Sequence, residues 1–246
     1  MKDYALEVQL RVEWISQVLI ESGARGIIFG SSGGKDSALV GILCRMATEN
    51  TLGVIMPCES RQNYAGDTDH ATTLGIKFGI QTITVDLTPG KKAILTELEK
   101  LGSLPEMASA NINPRLRMAT LYALGQSRGY LVAGTGNRSE YYTGYFTKWG
   151  DGAYDFNPIA DLLATEVSAF LKYLEAPPEI SEKPPSAGLF EGQTDESEMG
   201  VSYADIDSFI QTGLASPHSQ QIIEQMHKRT VHKRIAPKMY GIQNGS

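Results

Sequence analysis

The sequence predicts an α/β fold, a single doubly wound parallel sheet with helices on both faces. Three observations carry that expectation. Four short apolar segments, "GIIFGS", "LGVIMP", "TITVDL" and "YLVAGT", recur along the chain. They are continuous apolar runs rather than alternating ones, as strands are when both sheet faces are covered. Helix-length stretches separate them, which is the pattern of parallel βαβ units. The length of 246 residues suits one large α/β domain, so residues 1–246 are read as a single unit. A chain of that size buries enough surface to need no covalent staple.

The elements follow in order. Leu6, Val8, Leu10, Val12, Ile15, Val18 and Leu19 form a broad apolar stripe at helical spacing, giving an N-terminal helix over 4–22. The first strand then runs into the glycine- and serine-rich turn "GSSGGKDSA" and a second helix. Two further strands and helices follow, and a long helical run from Pro114 to Arg128 leads into the fourth strand. The strands are expected in the order 3-2-1-4. Beyond Asn157 the spacing loosens. A helix is expected to open with Thr165 as its N-cap and Glu166 beside its positive end. "APPEISEKPPSAGLFEGQTDESEMG" holds four prolines and three glycines, and a segment of that kind near 181–202 is expected to close over a substrate. Ser202 caps a short helix, and a last helix is read over Ser216 to Arg234. No internal repeat is present.

Composition narrows the function. The net charge of −6 does not suit a protein that coats nucleic acid, because neutralising phosphates takes a basic face. The basic stretch "HKRTVHKR" lacks interleaved aromatics and reads as a solvated helix end. Two cysteines, Cys44 and Cys58, fit no zinc or CxxC spacing, and the four histidines show no metal spacing. The amphipathic start "MKDYALEVQLRVEW" is not a signal peptide, and no apolar run nears the roughly 20 residues of a membrane span. A cytoplasmic protein with no membrane partner is expected.

The turn carries the chemistry. Glycines between a buried strand and a helix let backbone N–H groups converge on an anion at the positive helix end. Here they sit with Ser31, Ser32 and Ser37, a density of donors that points to phosphate. It is not a Walker A loop, since Gly30 to Gly34 leaves three residues and Asp36 follows Lys35. An acid at that place would repel phosphate unless it held a cation, so Asp36 points to Mg²⁺. The end of the fourth strand lies beside the first in this strand order, at the topological switch point where ligands bind. Thr135 and Glu140 therefore face the loop, and Glu140 and Asp36 are placed to share one Mg²⁺. Lys148, Asp151 and Asp155 lie on a glycine-punctuated loop able to close over a substrate.

"SSGGKDSA" resembles the SGGxDS pyrophosphate loop of the Rossmann-like ATP-pyrophosphatase superfamily, whose members cleave ATP between its α and β phosphates. That motif alone leaves GMP, argininosuccinate and asparagine synthetases and tRNA-modifying enzymes open. "GTGNRSEYYTGYFTKWGDGAYDFNPIADL" is more specific and is similar to the family of NH3-dependent NAD synthetases. "NINPRLRM", "EKPPSAGLFEGQTDESEMGVSY" and "HKRIAP" match the same family, so the resemblance spans roughly residues 25 to 237.

The resemblance implies the following roles. Gly30, Ser31, Ser32, Gly33, Gly34, Lys35, Asp36 and Ser37 hold the ATP phosphates, with Thr135 and Ser186 also on ATP. Asp36 and Glu140 ligate Mg²⁺ and act in catalysis. Arg115, Lys148, Asp155, His232 and Lys233 contact deamido-NAD, and Asp151 lies near the incoming ammonia. A homodimer is implied, with the dinucleotide site near its interface. The chain departs from the family at Ala164, where a phosphate-reaching lysine is common, and at Gly188, where an aspartate often stands. Two other readings stay open: a related enzyme such as a tRNA sulfur-transfer enzyme, and a nucleotide-binding module without catalysis. The region starts by about residue 25, which leaves no room on its N-terminal side for a glutamine-hydrolysing domain, so ammonia is the expected nitrogen source.

Overall fold

The protein is described by a computed structural model covering residues 2–58, 63–182 and 194–240. Helix α1 (Tyr4–Ser22) is capped by Asp3, whose Oδ1 accepts from the N–H groups of Ala5 and Leu6 at 3.1 and 3.2 Å. Gly23, at φ +65°, closes it in the left-handed conformation that costs glycine least. Strand β1 (Gly26–Gly30), α2 (Lys35–Ala47), β2 (Thr51–Ile55), α3 (Asn63–Phe78) and β3 (Gln81–Thr84) come next. They are followed by α4 (Thr88–Glu99), α5 (Glu106–Ala110), α6 (Ile112–Arg128) and β4 (Tyr130–Val132). The remainder is helical: α7 (Arg138–Thr143), α8 (Ala164–Tyr173), α9 (Pro178–Ser181), α10 (Asp195–Met199), α11 (Tyr203–Thr212), α12 (Pro217–Arg229) and a 3-10 turn, Val231–Lys233.

The sheet order is β3-β2-β1-β4 and every pairing is parallel, as the sequence predicts. Strand alternation sorts the core onto two faces. Ile27 and Phe29 point to a cluster with Ile15 of α1, Leu39 and Leu43 of α2, and Phe170 of α8. Ile28 points the other way, to Leu52, Val54, Leu87, Leu121 and Val132. A third cluster joins Ala164, Met199, Tyr203, Ile206 and Ile223, and so packs α8, α10, α11 and α12 together.

The structure corrects two helix limits. Thr165 is not the cap of α8, because Leu163 holds that position and its N–H donates to Glu166 Oε2 at 2.9 Å. The Thr165 hydroxyl serves a tertiary contact instead, donating to Asp207 at 2.8 Å. The last helix ends at Arg229 rather than Arg234. There the Thr230 hydroxyl donates to Met226 O at 2.7 Å and Thr143 O at 3.0 Å, and the chain tightens into the 3-10 turn.

Asp207 of α11 fastens the helices that carry the site. It is buried and accepts from Ser139 Oγ of α7, from Thr165 N at 2.9 Å and from Thr165 Oγ1. Ser139 Oγ in turn accepts from Ala164 N at 3.1 Å. Removing the carboxylate strands these donors in a dry environment, where each lost charged bond is costly. Asp207→Ala is expected to lower the unfolding free energy by about 3 kcal/mol, read as a fall in urea midpoint at constant slope.

Candidate active site

A cavity of about 750 Å³ opens at the carboxyl ends of β1, β2 and β4. Its floor is the turn after β1. Ser31 N continues the sheet by donating to Val54 O at 2.9 Å, and Gly33 then turns the chain at φ +74°. Ser32 and Ser37 hold the turn closed through hydroxyls 3.0 Å apart, and Ser32 Oγ accepts from Gly34 N at 3.2 Å. The N-cap of α2 is Gly34, which has no side chain to satisfy the helix's first N–H groups. Those donors are left for a ligand.

Across from the turn, the chain leaving β4 places a second acid. Asn137 is 1 % exposed and bridges the two. Its Nδ2 donates to Asp36 Oδ1 at 2.9 Å, and its Oδ1 accepts from Glu140 N at 3.0 Å. Its own N–H donates to Glu140 Oε2 at 2.9 Å, completing a capping box at the start of α7. Desolvation holds the Asp36 carboxyl above its ordinary pKa, against the pull of the Lys35 ammonium. Glu140 stands well above the usual carboxylate range, through desolvation and then the charge of Asp36. Two like charges held this close, with little water, are a site that a cation relieves. Mg²⁺ fits: it takes one or two carboxylates and completes its shell with water and substrate phosphates. Among the described residues no group of three or more acids, histidines or cysteines forms a protein-only cage.

Asp151 opens onto the same cavity and accepts from Thr147 N at 3.0 Å. Desolvation by the cavity walls raises its pKa, while Lys233 and Arg117 pull it down. Lys233 donates to the carbonyls of Gly144 and Phe146 at 2.7 and 2.6 Å, and burial lowers its pKa. Thr135 also lines the cavity, beside Gly134. Gly134 is required to be glycine, because a Cβ there would stand 2.4 Å from the Tyr154 ring.

Four residues assigned to deamido-NAD by resemblance lie outside the cavity lining. Arg115 is exposed and reaches Lys148 O at 3.4 Å, and Lys148 Nζ donates to His232 O at 2.6 Å. The three therefore form one linked patch. Asp155 accepts from Val132 N at 2.8 Å and from the Tyr122 hydroxyl at 3.1 Å. Burial and that carboxylate push the Tyr122 pKa up to about 12. Ser186, Gly188 and half of the expected covering segment, residues 183–193, fall outside the described residues.

Several cavity residues were not singled out from the sequence. Arg117, two places from Arg115 on α6, lines the cavity and donates from Nε to Met56 O at 3.2 Å. Asp195 and Glu198 of α10 meet Tyr145, whose hydroxyl lies 3.3 Å from Asp195 Oδ1 and 2.6 Å from Glu198 Oε2. Tyr203 joins the group with its hydroxyl 3.3 Å from Asp195 Oδ2. Burial lifts both tyrosine pKa values far above the ordinary one, so both stay protonated as donors. Asn137 did carry a signal, since Asn137-x-x-Glu140 is the spacing of a capping box.

A family model described as NAD synthase matches residues 7–240. The NH(3)-dependent NAD(+) synthetase of Carboxydothermus hydrogenoformans is 44% identical over 231 residues, covering 93% of this chain and 94% of the relative. A solved NMN synthetase from Francisella tularensis superposes with a TM-score of 0.93 at 35% identity, covering 98% of this chain and 100% of that one. A solved NH3-dependent NAD synthetase from Campylobacter jejuni, in complex with nitrate, superposes with a TM-score of 0.80 at 25% identity, covering 97% and 99%.

Proposed function

The chain belongs to the NAD synthase family, and from that premise we infer which of its residues carry the reaction. The reaction is that of an ammonia-dependent ligase: the carboxylate of deamido-NAD becomes the amide of NAD, with ATP as co-substrate. The turn from Gly30 to Ser37 grips the pyrophosphate end of ATP, with Thr135 and Ser186 on the same nucleotide. Asp36 and Glu140 hold Mg²⁺, which when bound supplies positive charge beside the departing pyrophosphate. A substrate carboxylate oxygen attacks the α-phosphorus, and the bond to the bridging oxygen breaks. Nicotinyl adenylate and pyrophosphate result. Asp151 binds ammonium and takes one proton from it, and its raised pKa brings it toward the working pH of a general base. Ammonia then adds to the activated carbonyl, and AMP leaves with the bonding pair. Lys233 meets deamido-NAD inside the cavity, and Arg115, Lys148, Asp155 and His232 hold the part of the dinucleotide that extends beyond the lining.

Residues 1–246 act as one unit in this reading. Ile15 and Ile180 share a core cluster, and Ile223 closes the third. The assembly is a homodimer. Leu6, Leu10 and Trp14, four residues apart on α1 and each about half exposed, offer an apolar strip for a second copy to cover. No helix among the described residues is long and apolar enough to cross a membrane, and neither cysteine is in a disulfide; the enzyme is read as cytoplasmic.

The observation that carries the mechanism is the Asn137-bridged pair of acids facing an open phosphate turn. Incubation with ATP, ammonium and deamido-NAD is expected to yield AMP and pyrophosphate, and none without the dinucleotide acid. ADP and phosphate as products would place the attack at another phosphorus and overturn it.

One observation favours a second reading, in which the acid is a mononucleotide. The superposition is tighter on the Francisella NMN synthetase, at 0.93, than on the Campylobacter NAD synthetase, at 0.80. Making NMN by the same chemistry amidates nicotinate mononucleotide, which lacks the AMP half of deamido-NAD. Competition between the two acids at equal concentration separates the readings through the ratio of NAD to NMN formed.

A further inference from the structure

We propose that Tyr203 is the positioning residue for Lys35, the cation of the turn that holds the ATP phosphates. The proposal deepens the reading above and rests on it for the identity of the nucleotide. Lys35 is the first residue of α2, yet its side chain does not run out to solvent: it is 8 % exposed and lines the cavity beside Ser31, Ser32 and Ser37. An ammonium carries three donors. The contacts of this one among the described residues are a long bond to Ala164 O, at 3.4 Å, and the face of Tyr203, 5.6 Å from the ring centroid. It makes no ion pair within 4 Å among them. A buried charge so thinly partnered is costly, and an anion in the cavity relieves the cost. The hydroxyls and open helix start around it select a phosphate for that place.

The seat under Lys35 is built by distant parts of the chain. Ala164 opens α8, is 1 % exposed, and packs in one cluster with Tyr203. Tyr203 opens α11 and is fixed at both ends. Its N–H donates to Glu196 Oε1 at 2.7 Å, and its hydroxyl bonds Asp195. Held this way, the ring gives the lysine a rigid negative face to lie on without offering a carboxylate that would neutralise it. Among the described residues, two of its three N–H donors are left for the ligand. The rival account makes Lys35 a counter-ion for the cavity acids, since its charge already draws the Asp36 pKa down.

The test is calorimetric titration of the full chain with pyrophosphate in Mg²⁺, and separately with adenosine, beside steady-state kinetics and thermal melts. Lys35→Met is expected to weaken pyrophosphate roughly 10- to 100-fold and raise the KM for ATP alike, with adenosine binding unchanged. Lys35→Arg recovers most of the loss. Tyr203→Leu weakens pyrophosphate severalfold, and Tyr203→Phe, which keeps the ring but frees its hydroxyl end, loses less. The double variant Lys35→Met/Tyr203→Leu binds no more weakly than Lys35→Met, because the ring acts through the lysine. Three results would overturn the proposal: pyrophosphate affinity kept in Lys35→Met, equal loss of pyrophosphate and adenosine, or full additivity in the double variant. Should Tyr203→Leu not fold, Tyr203→Phe still decides, since a large loss there would put the hydroxyl and not the ring in charge. Failure of the ligase reading would show separately, as a parent chain that binds pyrophosphate but forms no AMP.

Discussion

Asp36→Asn and Glu140→Gln each lower turnover roughly 100- to 1,000-fold while leaving the chain at least as stable as before. The two effects have opposite signs for one reason. Both carboxyls sit above their ordinary pKa because desolvation opposes their charge, and at Glu140 the charge of Asp36 adds to it. Either amide keeps the local hydrogen bonds, since an amide oxygen still accepts from Asn137 Nδ2 or from Asn137 N. It also removes one of the two like charges, so the melting temperature holds or rises. Between the unfolded and folded pKa values the native state binds more protons than the unfolded one, so stability falls as pH rises through that window. Mg²⁺ opposes the trend, and it raises the melting temperature of the parent chain more at the alkaline end of the window than at the acid end. In either variant both the pH slope and the Mg²⁺ response shrink. Thermal melts against pH with and without Mg²⁺, beside single-turnover rates, check all of this. A variant that loses activity and stability together would assign the pair a structural role instead.

Legibility in the sequence followed the strength of the local physical signal. The strands were readable because burial on both faces makes them continuous apolar runs, and their parallel order followed from the helices between them. The turn after β1 was readable as a turn because glycine is required for its geometry at Gly33. Glu140 and Asp36 could be placed together since the strand order alone brings their two loops to one sheet edge. The residue between them, Asn137, was less visible because one side chain spans both, and no spacing rule encodes a tertiary bridge. Arg117 and Arg115 differ only in which side of α6 they occupy, and two residues on a helix are about 200° apart. Thr165 was read as a cap from its type, whereas the buried Asp207 claims its hydroxyl. Asp195 and Glu198 fall in the segment expected to cover the substrate and Tyr203 follows it, yet no spacing marks any of them individually. They line the cavity because short helices fold that stretch back over it.

Ammonium supports amide formation by the 246-residue chain, and glutamine in its place gives no detectable product. Using glutamine requires an activated thiolate to attack its side-chain amide, and a thiol is activated by a base, a positive helix end or a nearby cation. The chain offers two cysteines. Cys44 lies in the middle of α2, is 0 % exposed, and has its pKa raised by burial, which is the opposite of activation. Cys58 follows β2 at the cavity wall, but it is only 2 % exposed and its Sγ donates to Asn113 Oδ1 at 3.3 Å. Cys58→Ser keeps a donor of similar reach for Asn113, so the ammonium-driven rate stays within about twofold of the parent chain. Asp151→Asn is the counterpart on the nitrogen path: it removes the group proposed to bind ammonium and accept its proton, and is expected to lower the amidation rate roughly 100-fold or more. Because ammonia is the species that attacks, part of that loss returns as pH rises and free ammonia accumulates, a recovery that Asp36→Asn does not share. Measured against pH at fixed total ammonium, the two variants therefore diverge on the alkaline side. Parallel profiles would remove Asp151 from the nitrogen path, and product from glutamine would show that one of the two buried thiols is reactive after all.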